Sequence, residues 1–316
     1  MDCKQVQSLA ETLKQNISTV ISGKDSVIEK VILSLLCSGH ILLEDIPGTG
    51  KTTLAKALAK SIRCGFKRVQ FTPDLLPSDL TGINFFNQKE GEFVFKKGSV
   101  FTNILLGDEI NRATPRTQSS LLECMEEGQV SVDGVTYALD KPFLVIATQN
   151  PIEIQGTFPL PEAQLDRFFV RLKMGYPDTE SETRMLTGRV SQNPLDALAP
   201  VLSGEEIVEA QAAVRMVKVG QAVASYIVRL AEATRNHEKI RLGVSPRGAL
   251  AVCRMAKAYA YLNGRDFVIP EDVAAVFPDV CCHRLVLTTK ARMMEERPET
   301  VIAAILDSVK MPVIKQ

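Results

Sequence analysis

The stretch Leu42-Leu43-Glu44-Asp45-Ile46-Pro47-Gly48-Thr49-Gly50-Lys51-Thr52-Thr53 decides how this chain is read. The apolar run from His40 to Leu43 suits a buried strand, and Leu54, Leu58 and Ile62 recur at helical spacing through the segment Lys51 to Ile62. Between strand and helix stand Gly48, Gly50, Lys51 and Thr52, an arrangement suited to a polyphosphate. Glycines let backbone N–H groups turn toward the anion and the helix N-terminus favours negative charge. Lys51 adds a point charge, and the Thr52 hydroxyl can ligate magnesium. The pattern G-x-x-x-x-G-K-[ST] departs at its first position, where this chain has Asp45. That position only turns the chain out of the strand, and aspartate tolerates turn conformations, so the cradle is expected to work. A carboxylate pointing inward would instead repel the phosphates.

Outward from the loop, 316 residues suffice for about two domains. With 37 basic and 37 acidic residues, the chain lacks the excess positive charge of a nucleic-acid-binding surface. The N-terminus MDCKQVQSLAETLKQ does not have the layout of a signal peptide, and no apolar stretch is long enough to span a bilayer. Seven scattered cysteines, with no C-x-x-C pair, suit a reducing compartment, so a cytoplasmic location is expected. Cys281-Cys282-His283 lacks the spacing of zinc ligands and reads as buried thiols.

The first half alternates strand-like and helix-like runs. Arg68 to Phe71, Val100 to Leu106 and Phe143 to Ala147 read as strands, while Thr114 as N-cap and Pro115 at the first position open a helix that Gly128 ends. Such alternation predicts a mainly parallel sheet, whose ligands lie beyond the carboxyl ends of its strands. Phe85 to Phe95 and Gln129 to Tyr137 interrupt the pattern as β-hairpins, the second turning at Asp133-Gly134. Beyond Ser181, the runs Glu205 to Val217, Ala222 to Arg235 and Arg247 to Leu262 are helical. The expectation is therefore an α/β nucleotide-binding domain over 1–190 and a smaller all-helical domain over 191–316, with the boundary in Ser191-Gln192-Asn193-Pro194.

A second chemical element is Asp108-Glu109, at the end of the apolar run Ile104-Leu105-Leu106-Gly107. Paired carboxylates at the end of a buried strand are costly unless compensated, and magnesium with an attacking water supplies compensation. Asp108 is assigned to magnesium and Glu109 to polarising the water.

Together these motifs resemble an AAA+ ATPase. Within that class, Asp108-Glu109-Ile110-Asn111-Arg112-Ala113, Thr117-Gln118-Ser119-Ser120-Leu121-Leu122-Glu123 and Ala147-Thr148-Gln149-Asn150-Pro151 resemble the MoxR family. Leu160-Pro161-Glu162-Ala163-Gln164-Leu165-Asp166-Arg167-Phe168 and Val244-Ser245-Pro246-Arg247 continue the match. The resemblance implies an AAA+ P-loop domain with inserted hairpins, followed by a helical lid. It assigns ATP to the loop Pro47, Gly48, Thr49, Gly50, Lys51, Thr52 and Thr53, and the adenine to the turn holding Ile21 and Gly23. Thr52 and Asp108 would hold Mg²⁺. Asn150 matches the sensor asparagine, Arg167 the arginine finger that reaches a neighbouring subunit's ATP, and Arg247 the second sensor, closing the lid over the γ-phosphate. Arg112 and Arg171 are further interface candidates.

The implied assembly is a homo-oligomeric ring, expected to be a hexamer, that acts on a protein client beside a von Willebrand factor A domain protein. The mixed charges of Lys89, Glu90, Glu92 and Asp133 near the hairpin tips argue against a nucleic-acid client. Two other readings stay open: a DNA-remodelling motor, and a nucleotide-gated binding module with negligible turnover.

Overall fold

The computed structural model describes residues 1–46, 48–150, 156–180, 182–183 and 194–313. Pro47 and the expected boundary residues Ser191, Gln192 and Asn193 lie outside them. Helices α1 (Cys3–Ser18) and α2 (Asp25–Leu36) lead into strand β1 (Ile41–Glu44), the loop, and α3 (Lys51–Ser61). Then come β2 (Phe66–Gln70), α4 (Pro77–Thr81), the hairpin β3 (Gly82–Asn87) and β4 (Glu92–Lys97), and β5 (Ile104–Asp108). Helix α5 (Pro115–Glu127), the hairpin β6 (Gln129–Val132) and β7 (Val135–Ala138), β8 (Leu144–Gln149), α6 (Glu162–Leu165) and β9 (Val170–Leu172) follow.

Strands β1, β2, β5, β8 and β9 form one parallel sheet in the order β2-β5-β8-β1-β9. Its inner strands are apolar up to their polar carboxyl ends because both faces are covered. Ile41, Leu43, Ile104, Leu106, Leu144 and Ile146 enter one core with α1, α2 and α3. The alternating Leu42, Leu105, Val145 and Ala147 enter a second core with Leu121, Leu122 and Met125 of α5. Edge strand β2 is more exposed, which leaves its polar side chains free to face a site.

The two hairpins form as expected. Asp133 and Gly134 both have positive φ, as a two-residue I′ turn requires. Phe95 stacks on Tyr137 at 4.1 Å between ring centroids, and Asn84 Nδ2 donates to Asp133 Oδ2 at 2.7 Å, so the hairpins pack on each other. One local expectation changes. Thr114 precedes α5 but makes no capping bond; Thr117 Oγ1 instead donates to the Leu75 carbonyl, tying the helix start to the segment before α4.

The C-terminal part holds α7 (Pro194–Ala197), α8 (Gly204–Arg215), α9 (Gln221–Arg235), α10 (Pro246–Leu262), α11 (Pro270–Cys281), α12 (Thr289–Met293) and α13 (Pro298–Ser308). The lid is helical except for a short antiparallel pair, β10 (Ile240–Leu242) with β11 (Val286–Leu287). It packs on α1 and α2 through the same continuous core that lines the sheet, and Lys30 pairs with Asp279 at 2.7 Å. Cys281 is buried, and burial pushes its thiol well above the usual range. No helix among the described residues is long and apolar enough to cross a membrane.

Candidate functional site

The phosphate loop leaves β1 with Asp45 and enters α3 at Lys51. Gly48 and Gly50 have φ of +86° and +90°, a region that side-chain-bearing residues rarely adopt, which explains why glycine stands at both. The first turn of α3 contains no acidic side chain, so its positive end is not locally neutralised. Lys51 Nζ donates to the Asp45 carbonyl at 2.8 Å. Burial lowers the Lys51 pKa, against the attraction of Asp45, Asp108 and Glu109.

The carboxylate of Asp45 does not point into the loop. Its Oδ1 accepts from the Ile46 N–H at 2.8 Å and its Oδ2 from the Gly175 N–H at 2.6 Å, beyond β9. Tyr176, the next residue, accepts at its carbonyl from Lys24 Nζ at 2.6 Å. The turn holding Ile21 and Gly23 is thereby linked to the phosphate loop through Gly175 and Tyr176. Val20 and Ile21 are buried and Gly23 has φ of +70°.

At the same end of the sheet, the parallel register sets Gln70 beside Asp108 and Glu44 beside Gln149. Asp108 Oδ2 accepts from Arg68 Nε at 2.7 Å and Oδ1 from Thr148 Oγ1 at 3.0 Å. Thr148 Oγ1 also accepts from the Glu109 N–H at 2.9 Å, so one hydroxyl joins the two acidic residues. Glu109 sits at φ of +56°, a left-handed conformation that costs a non-glycine residue on the order of 1 kcal/mol or more. Its Oε2 accepts from Gln70 Nε2 at 2.7 Å and pairs with Arg112 Nε at 3.1 Å. Asn150 follows β8 directly and is buried. Arg171 is mostly buried and pairs with Glu44 of the same chain at 3.4 Å.

Thr148, Arg68 and Gln70 were not marked by the sequence reading. Arg68 and Gln70 alternate on edge strand β2, and Thr148 is a polar residue in a buried apolar strand. Those two irregularities are the signals that could have found them.

Arg167 and Arg247 stand elsewhere. Both pair with Glu126 at the end of α5, Arg167 Nε to Oε2 at 3.3 Å and Arg247 Nη2 to Oε1. They line a cavity of about 240 Å³ with His40, Phe169, Asp166, Arg254 and Arg284. His40 precedes β1 whereas the phosphate loop follows it, so the length of β1, roughly 13 Å at about 3.3 Å per residue, separates the two groups. Arg247 lies away from this chain's own phosphate loop in this arrangement, because α10 starts beside the amino end of the sheet. Among the predicted site residues, the fold therefore gathers Ile21, Gly23, the phosphate loop, Asp108, Glu109 and Asn150 at one end. It gathers Arg167 and Arg247 at the other.

The sequence pattern described as "ATPase family associated with various cellular activities" matches residues 40–170, and that of the "AAA lid domain" matches 232–305. "Chaperone MoxR1" of Mycobacterium tuberculosis is 42% identical over 305 residues, covering 94% of this chain and 80% of its own. "Protein MoxR" of Methylorubrum extorquens is 31% identical, covering 96% and 95%. The chain belongs to the MoxR family of AAA+ ATPases. YeaC of Bacillus subtilis, itself uncharacterised, is 47% identical across 95% of this chain and 93% of its own. A solved structure from Cytophaga hutchinsonii, described as a candidate ATPase, superposes with a TM-score of 0.90 at 38% identity, over 98% of this chain and 97% of that one.

Membership in a nucleotide-binding family accounts for the costly features of the MoxR-type site. A magnesium ion commonly takes one or two protein ligands and completes its shell with phosphate oxygens and water. The Thr52 hydroxyl and the Asp108 carboxylate fit that donor set. Each Asp108 oxygen already accepts one hydrogen bond and retains a further lone pair.

Proposed function

We propose that this MoxR-type protein hydrolyses ATP, with magnesium, at sites completed between adjacent subunits of a ring, and spends the cycle on remodelling a protein client. The observation that carries the reading is the meeting of the phosphate loop, the Asp108-Glu109 pair and Asn150 at one end of the sheet. Backbone N–H groups of the loop, with Lys51, hold the phosphates. Magnesium, when bound, supplies charge neutralisation on the β- and γ-phosphate oxygens. Glu109 orients and polarises the attacking water, and Asn150 fixes that water against the γ-phosphate. Attack in line releases ADP and phosphate, with transition-state charge stabilised electrostatically. The separate placement of Arg167 and Arg247 supports a role for both at the neighbouring subunit's nucleotide rather than their own.

The chaperone role, the hexamer and a von Willebrand factor A domain partner rest on the family resemblance, including the relative named as a chaperone. Nucleotide titration together with phosphate release tests the chemistry. Lys51→Ala is expected to abolish nucleotide binding, whereas Glu109→Gln keeps binding and loses turnover by about 10²-fold or more. Wild-type turnover in Glu109→Gln would remove Glu109 from its role.

A further inference from the structure

Among the described residues no other lysine or arginine is buried as deeply as Arg284, which is 6% exposed. An arginine does not shed its proton, so burying it is costly unless every N–H finds an acceptor. All of its donors do. Nε donates to Asp166 Oδ1 at 2.7 Å, and Nη2 to the carbonyls of Asp166 at 3.1 Å and Phe168 at 2.6 Å. Nη1 donates to the Phe169 carbonyl at 3.1 Å and to the Val280 carbonyl. The Asp166–Phe169 segment that supplies most of these acceptors contains Arg167.

The other end of the cluster reaches Arg247. Asp166 Oδ2 accepts from Ser245 Oγ at 2.8 Å, and Ser245 caps α10 by accepting from the Gly248 N–H. The Arg284 stem passes over Gly248, where an added Cβ would lie 2.9 Å from its Cδ. Arg284 thus grips the backbone on both sides of Arg167 and packs on the first turn of the helix that carries Arg247.

We infer that Arg284, acting through Asp166, is a positioning residue that makes the lid and Arg167 move as one body, so that each subunit's lid follows the nucleotide bound by its neighbour. The inference rests on the reading that Arg167 works at the neighbour's site. Coupling of this kind needs a rigid link, and a guanidinium with every donor met by backbone or carboxylate supplies one.

The test uses Arg284→Lys and Asp166→Asn in the full chain, with ATP as the probe. Lysine keeps the charge and loses the fork. The KM for ATP, set by the chain's own phosphate loop, is expected to change less than threefold, while kcat falls about thirty-fold as Arg167 loses its fixed aim. Mixed with Lys51→Ala subunits, which lack a working loop and present an intact Arg167, the variant should recover several-fold, because its own loop is intact. A damaged fold would not be rescued this way. The inference is overturned if kcat stays within twofold of wild type. It is overturned equally if mixing gives no recovery under conditions where Arg167→Ala subunits do recover. Should Arg167→Ala also fail to recover despite co-assembly, the reading of Arg167 itself falls and takes the Arg284 inference with it. If Arg284→Lys does not fold, Asp166→Asn, of nearly the same shape, carries the same comparison.

Discussion

Asp45 occupies a position where phosphate loops usually carry glycine, and it can do so because its backbone is not left-handed there. Its carboxylate accepts from the N–H groups of Ile46 and Gly175. Asp45→Ala would leave both donors without that acceptor, costing about 1–3 kcal/mol. Chemical denaturation should show that loss, and nucleotide titration should show no gain in affinity. A tighter nucleotide complex would mean that the carboxylate does repel the phosphates. Thr148 offers a second residue-scale test. Thr148→Val removes the hydroxyl joining Asp108 to the Glu109 N–H, and kcat is expected to fall about ten- to hundred-fold with the fold retained, measured by steady-state kinetics beside a melting curve. Lys51, Thr52, Asp108 and Glu109 were legible in the sequence because each lies in a contiguous motif. Thr148, Arg68 and Gln70 were not, because they reach the site through cross-strand register.

Among the elements, the strongest local signals were turns. Asp133-Gly134 marked the second hairpin because few residue pairs accept positive φ twice in succession. The first hairpin begins at Gly82, with φ of 98° and ψ of 173°, a region nearly exclusive to glycine. A Cβ there would lie 2.5 Å from the Lys96 carbonyl oxygen, whereas at Gly134 it would meet nothing within 4 Å. Gly82→Ala should therefore cost about 2–4 kcal/mol and Gly134→Ala about 1 kcal/mol, readable as shifts in urea midpoint. Equal shifts would mean that the hairpin start relaxes freely. The predicted N-cap at Thr114 was a sound local signal that tertiary contact redirected: its neighbour Thr117 bonds to Leu75, and the helix start is held from outside.

For the whole molecule, stability should depend on pH through His40, which is buried where the sheet meets α5. Its Nδ1 accepts from the Val145 N–H at 3.0 Å, and its Nε2 donates to the Met125 carbonyl at 2.8 Å, so the neutral ring is satisfied on both sides. Burial, with a smaller repulsion from Arg254, lowers its pKa to about 4, against partial support from the Met125 bond. Below about pH 6.5 the unfolded chain gains a proton that the folded chain refuses. Stability present at neutral pH is then lost progressively down to about pH 4, by about 3 kcal/mol in all. His283, lowered by burial and by Arg284, adds to the same trend. Melting temperatures between pH 7 and pH 4.5 should show the fall, and His40→Gln should flatten it; an unchanged slope would place the cause elsewhere. The sequence by itself determined the parallel α/β sheet, the inserted hairpins, the helical lid and the motifs at the strand ends, because periodicity, turn chemistry and contiguous spacing are local properties. Only the tertiary structure decided that Asp45 faces Gly175, that Thr148 joins the two acids, and that Arg167 and Arg247 share Glu126 at the far end of the sheet. Those facts depend on which strands lie side by side and where the lid docks, and such long-range packing leaves no periodic trace in the chain.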